Sequence, residues 1–228
     1  LIGTDFEKKI KDIMNKNILL IAASGLILLF GACAKEDSKN VNQDSIYSIY
    51  ELFYNKNTDK TTAQATFRFG GPTGTLLELN SPAGVTFNGD KLSYNGITGV
   101  HKKEYSGSTT SGNYVYTDLD AKVFKNTIGT MDPLDFPVVD TIKTTGSYTL
   151  TWTGNPVGDN ETISLTINGT QQANFEIASV SSKGATELIF PMNKLQKVGI
   201  GTANCILQRT FAKSTIDEGT SKGGRQAI

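Results

Sequence analysis

Beyond Ser45 the chain is built of short runs rich in Thr, Tyr, Val, Ile and Phe, set between clusters of Gly, Asn, Asp and Pro, and no long stretch carries a convincing helical period. That punctuation calls for strands joined by turns, because β-branched and aromatic side chains suit a pleated, half-buried surface. The runs predict a first set of strands over residues 46–54, 62–69, 75–79, 85–87, 91–94, 99–105, 113–119 and 121–127. They predict a second set over 138–142, 147–153, 162–167, 174–180, 186–190 and 203–211. Residues 46–53 are the ambiguous case, since Ile46, Ile49, Tyr50 and Phe53 also fit a helical stripe; their β-branched and aromatic content favours a strand.

Alternation shows which faces are to be buried, because side chains two apart lie on one side of a strand. Tyr148, Leu150 and Trp152 share a face opposite Thr149, Thr151 and Thr153, and Ile163, Leu165 and Ile167 alternate with Thr162, Ser164 and Thr166. Asn88-Gly89 and Asn168-Gly169 are expected at tight hairpin turns, where both residue types tolerate positive φ.

Lys plus Arg number 22 against 22 Asp plus Glu, so the basic footprint of a nucleic-acid binder is missing and no nucleic-acid partner is expected. One histidine and two cysteines exclude the usual His/Cys zinc sets, and a His-dependent nucleophilic site would have to use His101. No enzyme activity is expected.

The N-terminal region carries the sharpest motif. Residues 18–30 (ILLIAASGLILLF) are uncharged and almost wholly apolar, follow Met14-Asn15-Lys16, and end in Gly31-Ala32-Cys33 before Lys35, Glu36 and Asp37. The run falls short of the roughly 20 apolar residues of a membrane-spanning helix and has the length and flanks of a secretory signal. Residues 1–13 do not fit the start of such a signal, so translation is expected to begin at Met14, with residues 1–32 removed. Small residues just before Cys33 resemble a lipobox, with Phe30 where Leu, Val or Ile is more usual. The resemblance implies cleavage before Cys33 and acylation of it, a covalent lipid partner and no other cofactor. The polar residues 33–44 then read as a lipidated, flexible tether.

A break near Thr130-Met131-Asp132-Pro133 divides the folded part into about 90 residues on each side, the size of an immunoglobulin-like sandwich. The expected fold is all-β, with tandem immunoglobulin-like β-sandwiches over residues 45–133 and 134–228 after a signal helix and tether. The blocks TTAQATFRFG, GTLLELNSPAGVTFNGDKL, GNYVYTDLDAKVFKNTI, GSYTLTWTGNP and TFAKSTIDEGTSKGG resemble a family of Bacteroidota surface lipoproteins with Ig-like β-domains and no assigned activity. In that context Lys35, Glu36 and Asp37 are similar to the signal that sends such lipoproteins to the cell surface. Asp44-Ser45-Ile46 and Asp140-Thr141-Ile142 match the pattern for O-glycan attachment, on Ser45 and Thr141.

Other residues are weighed against plainer roles. Asp118 and Asp120 could serve calcium or suit a hairpin turn, and Asp132, Asp135 and Asp140 cluster at the linker. Trp152 is expected in a core, His101 on a surface edge strand blunted by Lys102 and Lys103, and Cys205 as a small buried hydrophobe. The expected function is a non-catalytic binding or adhesion module anchored in the outer membrane through Cys33, displayed on the cell surface, with a glycan or envelope protein as partner. The alternative is a structural accessory lipoprotein of an envelope complex.

Overall fold

A computed structural model describes residues 35–129, 132–139, 141–169 and 174–228. The fold is all-β. In chain order its strands are β1 (Lys35–Asp37), β2 (Ile46–Asn55), β3 (Lys60–Phe69), β4 (Thr75–Glu78), β5 (Gly84–Phe87), β6 (Asp90–Lys91), β7 (Ser93–Asn95), β8 (Val100–Ser106), β9 (Gly112–Thr117) and β10 (Val123–Ile128). There follow β11 (Leu134–Asp135), β12 (Tyr148–Thr151), β13 (Thr153–Gly154), β14 (Glu161–Gly169), β15 (Phe175–Val180), β16 (Glu187–Phe190), β17 (Ala203–Lys213) and β18 (Gly224–Ala227), with one short helix, α1 (Met192–Val198), before β17.

Two cores organise these elements. In the first, the sheet that carries β2, β3 and β4 faces the sheet β10-β9-β5-β6. Tyr50 stacks on Tyr114 at 4.8 Å and Phe67 meets Tyr116 at 4.6 Å, so aromatic rings from the two sheets interleave. The ambiguous segment is a strand: Ile46, Ser48, Tyr50 and Leu52 point into this core, whereas Phe53 is half exposed. The Asn88-Gly89 turn joins β5 to β6 with positive φ at both residues, the geometry a two-residue hairpin needs. The second core lies between the β12–β16 pair, α1 and the strands β14, β15 and β17. Leu150 and Trp152 are buried there, as are Ile163, Leu165 and Ile167, while Thr149, Thr151 and Thr153 face solvent.

Several local expectations are corrected. Residues 138–142 form no strand where they are described, because the side chains there are exposed or only half buried and find no pairing partner. Asn168-Gly169 continues β14 instead of turning, opposite Phe175 and Ala203. Helix α1 is too short to show a period: Leu195 and Val198 alone face the core, and Gly199 ends it at a φ of 86°.

Two boundaries also change. Residues 35–45 are not a flexible tether: β1 pairs in parallel with β4, and the next residues form two 3₁₀ turns. Ser38 is fully buried, its Oγ accepting from the Asn80 N–H at 2.9 Å, and the Gln43 amide donates to the Ser38 and Val41 carbonyls. Composition suggested a tether because it counts apolar area, whereas this segment is ordered by hydrogen bonds between buried polar groups. Similarly, the second unit does not extend to Ile228. The first nine residues of β17 pair with β14, its last two pair with β18, and β18 inserts in parallel beside β2. Ile216 and Ile228 pack on the first core, so the C-terminal residues complete the first unit and β17 is common to both. The open edge of β2 needs a partner, and the chain's own end supplies it.

Candidate functional site

An open cleft of about 580 Å³ lies on the first unit, between the β4–β5 connection, β7 and the outer part of β9. Glu78, Pro82, Lys91, Tyr94, His101 and Thr117 are among its lining residues. Hairpin β7–β8 places Tyr94 opposite His101, with ring centroids 4.9 Å apart, and His101 also meets the edge of Phe67 at 5.5 Å.

His101 is not on an edge strand, which corrects the surface expectation. Strand β8 lies between β3 and β7, and the imidazole is only 4% exposed. Its Nε2 accepts from the Leu79 N–H at 3.4 Å. Burial pushes its pKa down to about 4, the Ala65 backbone partly opposing and the charge of Lys91 adding to the shift. The ring is therefore neutral at pH 7, and its lone pair holds the β4–β5 connection in place. The one sequence signal for this was Tyr105, which shares the strand face of His101 and packs on the first core, but Lys102 and Lys103 obscured it. Burial likewise raises the pKa of the Tyr94 hydroxyl, with the carboxylates of Glu78 and Asp37 adding to it.

This histidine carries a pH prediction. Its folded pKa lies below the 6.5 of an exposed imidazole, so the unfolded chain binds the proton first and stability falls as pH drops from 6.5 through 4. The loss should reach about 3 kcal/mol below pH 4. Urea midpoints measured across that window should slope in the natural protein and flatten in His101→Phe; equal slopes would contradict the assignment. The carboxyls of Asp44, held by Ser221, and Asp217, held by the Thr127 N–H, are also depressed and lose their contribution as pH falls, so the difference between the natural protein and His101→Phe is what reports the histidine.

The residues singled out from sequence are not brought together. Cys33 and Asp140 lie outside the described residues. Lys35, Glu36 and Asp37 form β1, where Lys35 sits over the Tyr94 ring at 5.9 Å and Glu36 accepts from Asn40. Ser45 is half buried in a 3₁₀ turn just ahead of the fully buried Ile46, and Thr141 is exposed in a loop. Asp118 is buried, and its Oδ1 accepts the N–H groups of Asp120 and Lys122, both at 2.9 Å, so it organises the β9–β10 turn. Asp120 is exposed. Asp135 pairs with Lys56, and Asp132 lies 3.8 Å from Arg209. Among the described residues no group of three or more His, Cys, Asp or Glu converges on a metal-sized site. Cys205, opposite Ile167 near the start of β17, is exposed, which corrects the expectation of a buried thiol.

No protein-family model and no curated protein matches this chain. Among the described residues no helix is long and apolar enough to cross a membrane. The cleft's lining combines the Tyr94 and His101 rings with Glu78 and Lys91, and so offers aromatic surface and both charge signs.

Proposed function

We propose that the protein is a lipoprotein of the outer membrane, acylated at Cys33 and displayed on the cell surface, which binds a glycan or envelope protein without catalysis. The observation that carries this reading is the sequence order: a 13-residue apolar run, small residues, one cysteine, and then a folded β-structure from Lys35 onward. More than one acyl chain gives durable membrane attachment, since each buried CH₂ contributes roughly 0.8 kcal/mol. The engaged lone pair of His101, the chain's single histidine, supports a non-catalytic role. In the family that the chain resembles, Lys35, Glu36 and Asp37 would act as the surface signal, and Ser45 and Thr141 would be the O-glycan acceptors.

The test is protease accessibility on intact cells, together with mass analysis of the peptide that begins at Cys33. The natural protein should be acylated and cleaved, and a Lys35→Ala, Glu36→Ala, Asp37→Ala variant should be acylated but protected. Because these residues form β1, the variant's melting temperature must be shown unchanged. Protection of both proteins sinks surface display, and an unmodified Cys33 sinks the anchor.

A second reading, an accessory subunit of an envelope complex, is favoured by one feature. Ile177 and Ile206 flank Thr166 on the outward face of β15-β14-β17, with Phe175 in the next row, and all three apolar side chains are exposed. In detergent extracts of the same cells, a large species that Ile206→Lys reduces to the monomer would support it; a monomer throughout would exclude it.

A further inference from the structure

The start of the ordered chain and the tip of one hairpin lie side by side. Strand β1 begins at Lys35, only two residues after Cys33 in the sequence. The Lys35 ammonium reaches the β7–β8 turn: it sits over the ring of Tyr94 and 4.0 Å from where a Cβ on Gly96 would stand. The next residue, Ile97, is 95% exposed. This turn is tightly built. Asn95 Oδ1 accepts the N–H groups of Ile97 and Thr98, both at 3.0 Å, and the Gly99 N–H donates to the Asn95 carbonyl at 2.8 Å. Gly99, at a φ of 71°, lies against Leu76, where a Cβ would come within 2.8 Å of Leu76 Cδ1. Leu76 is the residue that pairs with Lys35 in β1. Phe69, partly exposed, ends β3 one step further along the same edge, opposite Thr75.

We propose that the β7–β8 turn, with Ile97 at its tip, is a lipid-contacting point that seats the folded body on the membrane beside the acylated Cys33. The inference rests on the lipid anchor proposed above and deepens it. An ordered segment in place of a tether keeps the body at the bilayer, so whatever surrounds Lys35 must meet the headgroup layer. A rigid turn holding one isoleucine in water has no core to join, whereas inserting it into the acyl boundary removes apolar area from water. Lys35, beside it, holds its ammonium over the Tyr94 ring at the same edge, where a cation attracts lipid phosphates. The cleft lined by Tyr94 then opens close to the membrane surface, which bounds the size of a partner that reaches it.

The test uses the full processed chain in vesicles of phosphatidylethanolamine and phosphatidylglycerol, with Cys205→Ser removing the exposed thiol. A fluorophore is placed on Thr98→Cys, next to the intact Ile97, and in a second protein on Thr58→Cys, in the β2–β3 turn at the other end of the sheet. Lipids with a nitroxide near the headgroup should quench the Thr98 position several-fold more than the Thr58 position, and Ile97→Asp should abolish the difference. Equal quenching at the two positions, or quenching that survives Ile97→Asp, overturns the contact while an acylated Cys33 peptide leaves the anchor standing. A Cys33 peptide without acyl chains overturns both.

Discussion

Deleting residues 214–228 should unfold the first unit while leaving the second folded. The deleted segment holds the first core closed from two sides. Strand β18 covers the edge of β2, with the Ser48 N–H donating to the Gly223 carbonyl at 3.2 Å, and Ile216 and Ile228 pack on the core. On the opposite sheet Asn126, buried in β10, accepts the N–H groups of Asp217 and Glu218 at 2.8 and 3.1 Å and donates to the Glu218 carbonyl at 2.8 Å. The Lys125 and Thr127 N–H groups reach the carboxylates of Glu218 and Asp217. The segment thus clasps both sheets. Two smaller changes grade the effect. Gly224→Val would drive a Cβ to 2.2 Å from the Ser48 carbonyl oxygen, and neither backbone can yield without breaking the parallel pair. Asn126→Ala removes the acceptor of two part-buried N–H groups and the donor to the Glu218 carbonyl, a loss of about 1–3 kcal/mol.

The readout separates the units. Trp152 is the single tryptophan and sits in the second core, whereas Tyr50 and Tyr114 stack in the first. In the truncated chain the near-ultraviolet tyrosine signal should fall to the share of Tyr148, which packs on the second core, while the tryptophan emission stays that of a buried indole. A retained tyrosine signal, with an unchanged urea midpoint for Asn126→Ala, would show that the C-terminal segment merely rests on the surface.

The second large effect is expected at Arg209, whose side chain is almost fully buried where β17 crosses β14. Its Nη1 lies 2.9 Å from Glu161 Oε2, a carboxylate that also accepts the Gly158 N–H at 2.7 Å. Its Nη2 and Nη1 also donate to the Asn155 and Pro156 carbonyls, and the Trp152 indole N–H donates to the same Asn155 carbonyl at 3.1 Å. The guanidinium therefore fastens the loop 155–158 over the second core. Arg209→Ala leaves Glu161 charged and largely desolvated, and should cost about 3–5 kcal/mol. The pair Arg209→Met with Glu161→Gln should cost far less, since both charges go and the volume stays. Urea unfolding followed by Trp152 fluorescence checks this. A loss under about 1 kcal/mol for Arg209→Ala would mean that water reaches Glu161 and the pair behaves as an exposed one.

The strands were legible wherever side-chain period and turn chemistry agreed. Leu150 and Trp152, and Ile163, Leu165 and Ile167, face inward as their alternation required, and Asn88-Gly89 turns where its φ preferences say it should. The elements that escaped were those made by partners distant in sequence. Strand β1 is three charged residues, KED, and β18 is GRQA; neither has a β signature, and each exists because a neighbouring strand had an unpaired edge. His101 escaped for the same reason, since the lysines beside it resembled an edge until β7 folded over it.

By itself, then, the amino-acid order determined the all-β class, most strand positions and the inward faces, because periodicity and turn propensity are local properties of a chain. Only the tertiary structure decided that the two cores share β17, that the C-terminus closes the first of them, and that Lys35 is ordered beside the β7–β8 turn. Those features depend on which backbone hydrogen-bonding edges remain open once the local elements have formed, and the filling of an open edge is set by reach and geometry across the whole molecule.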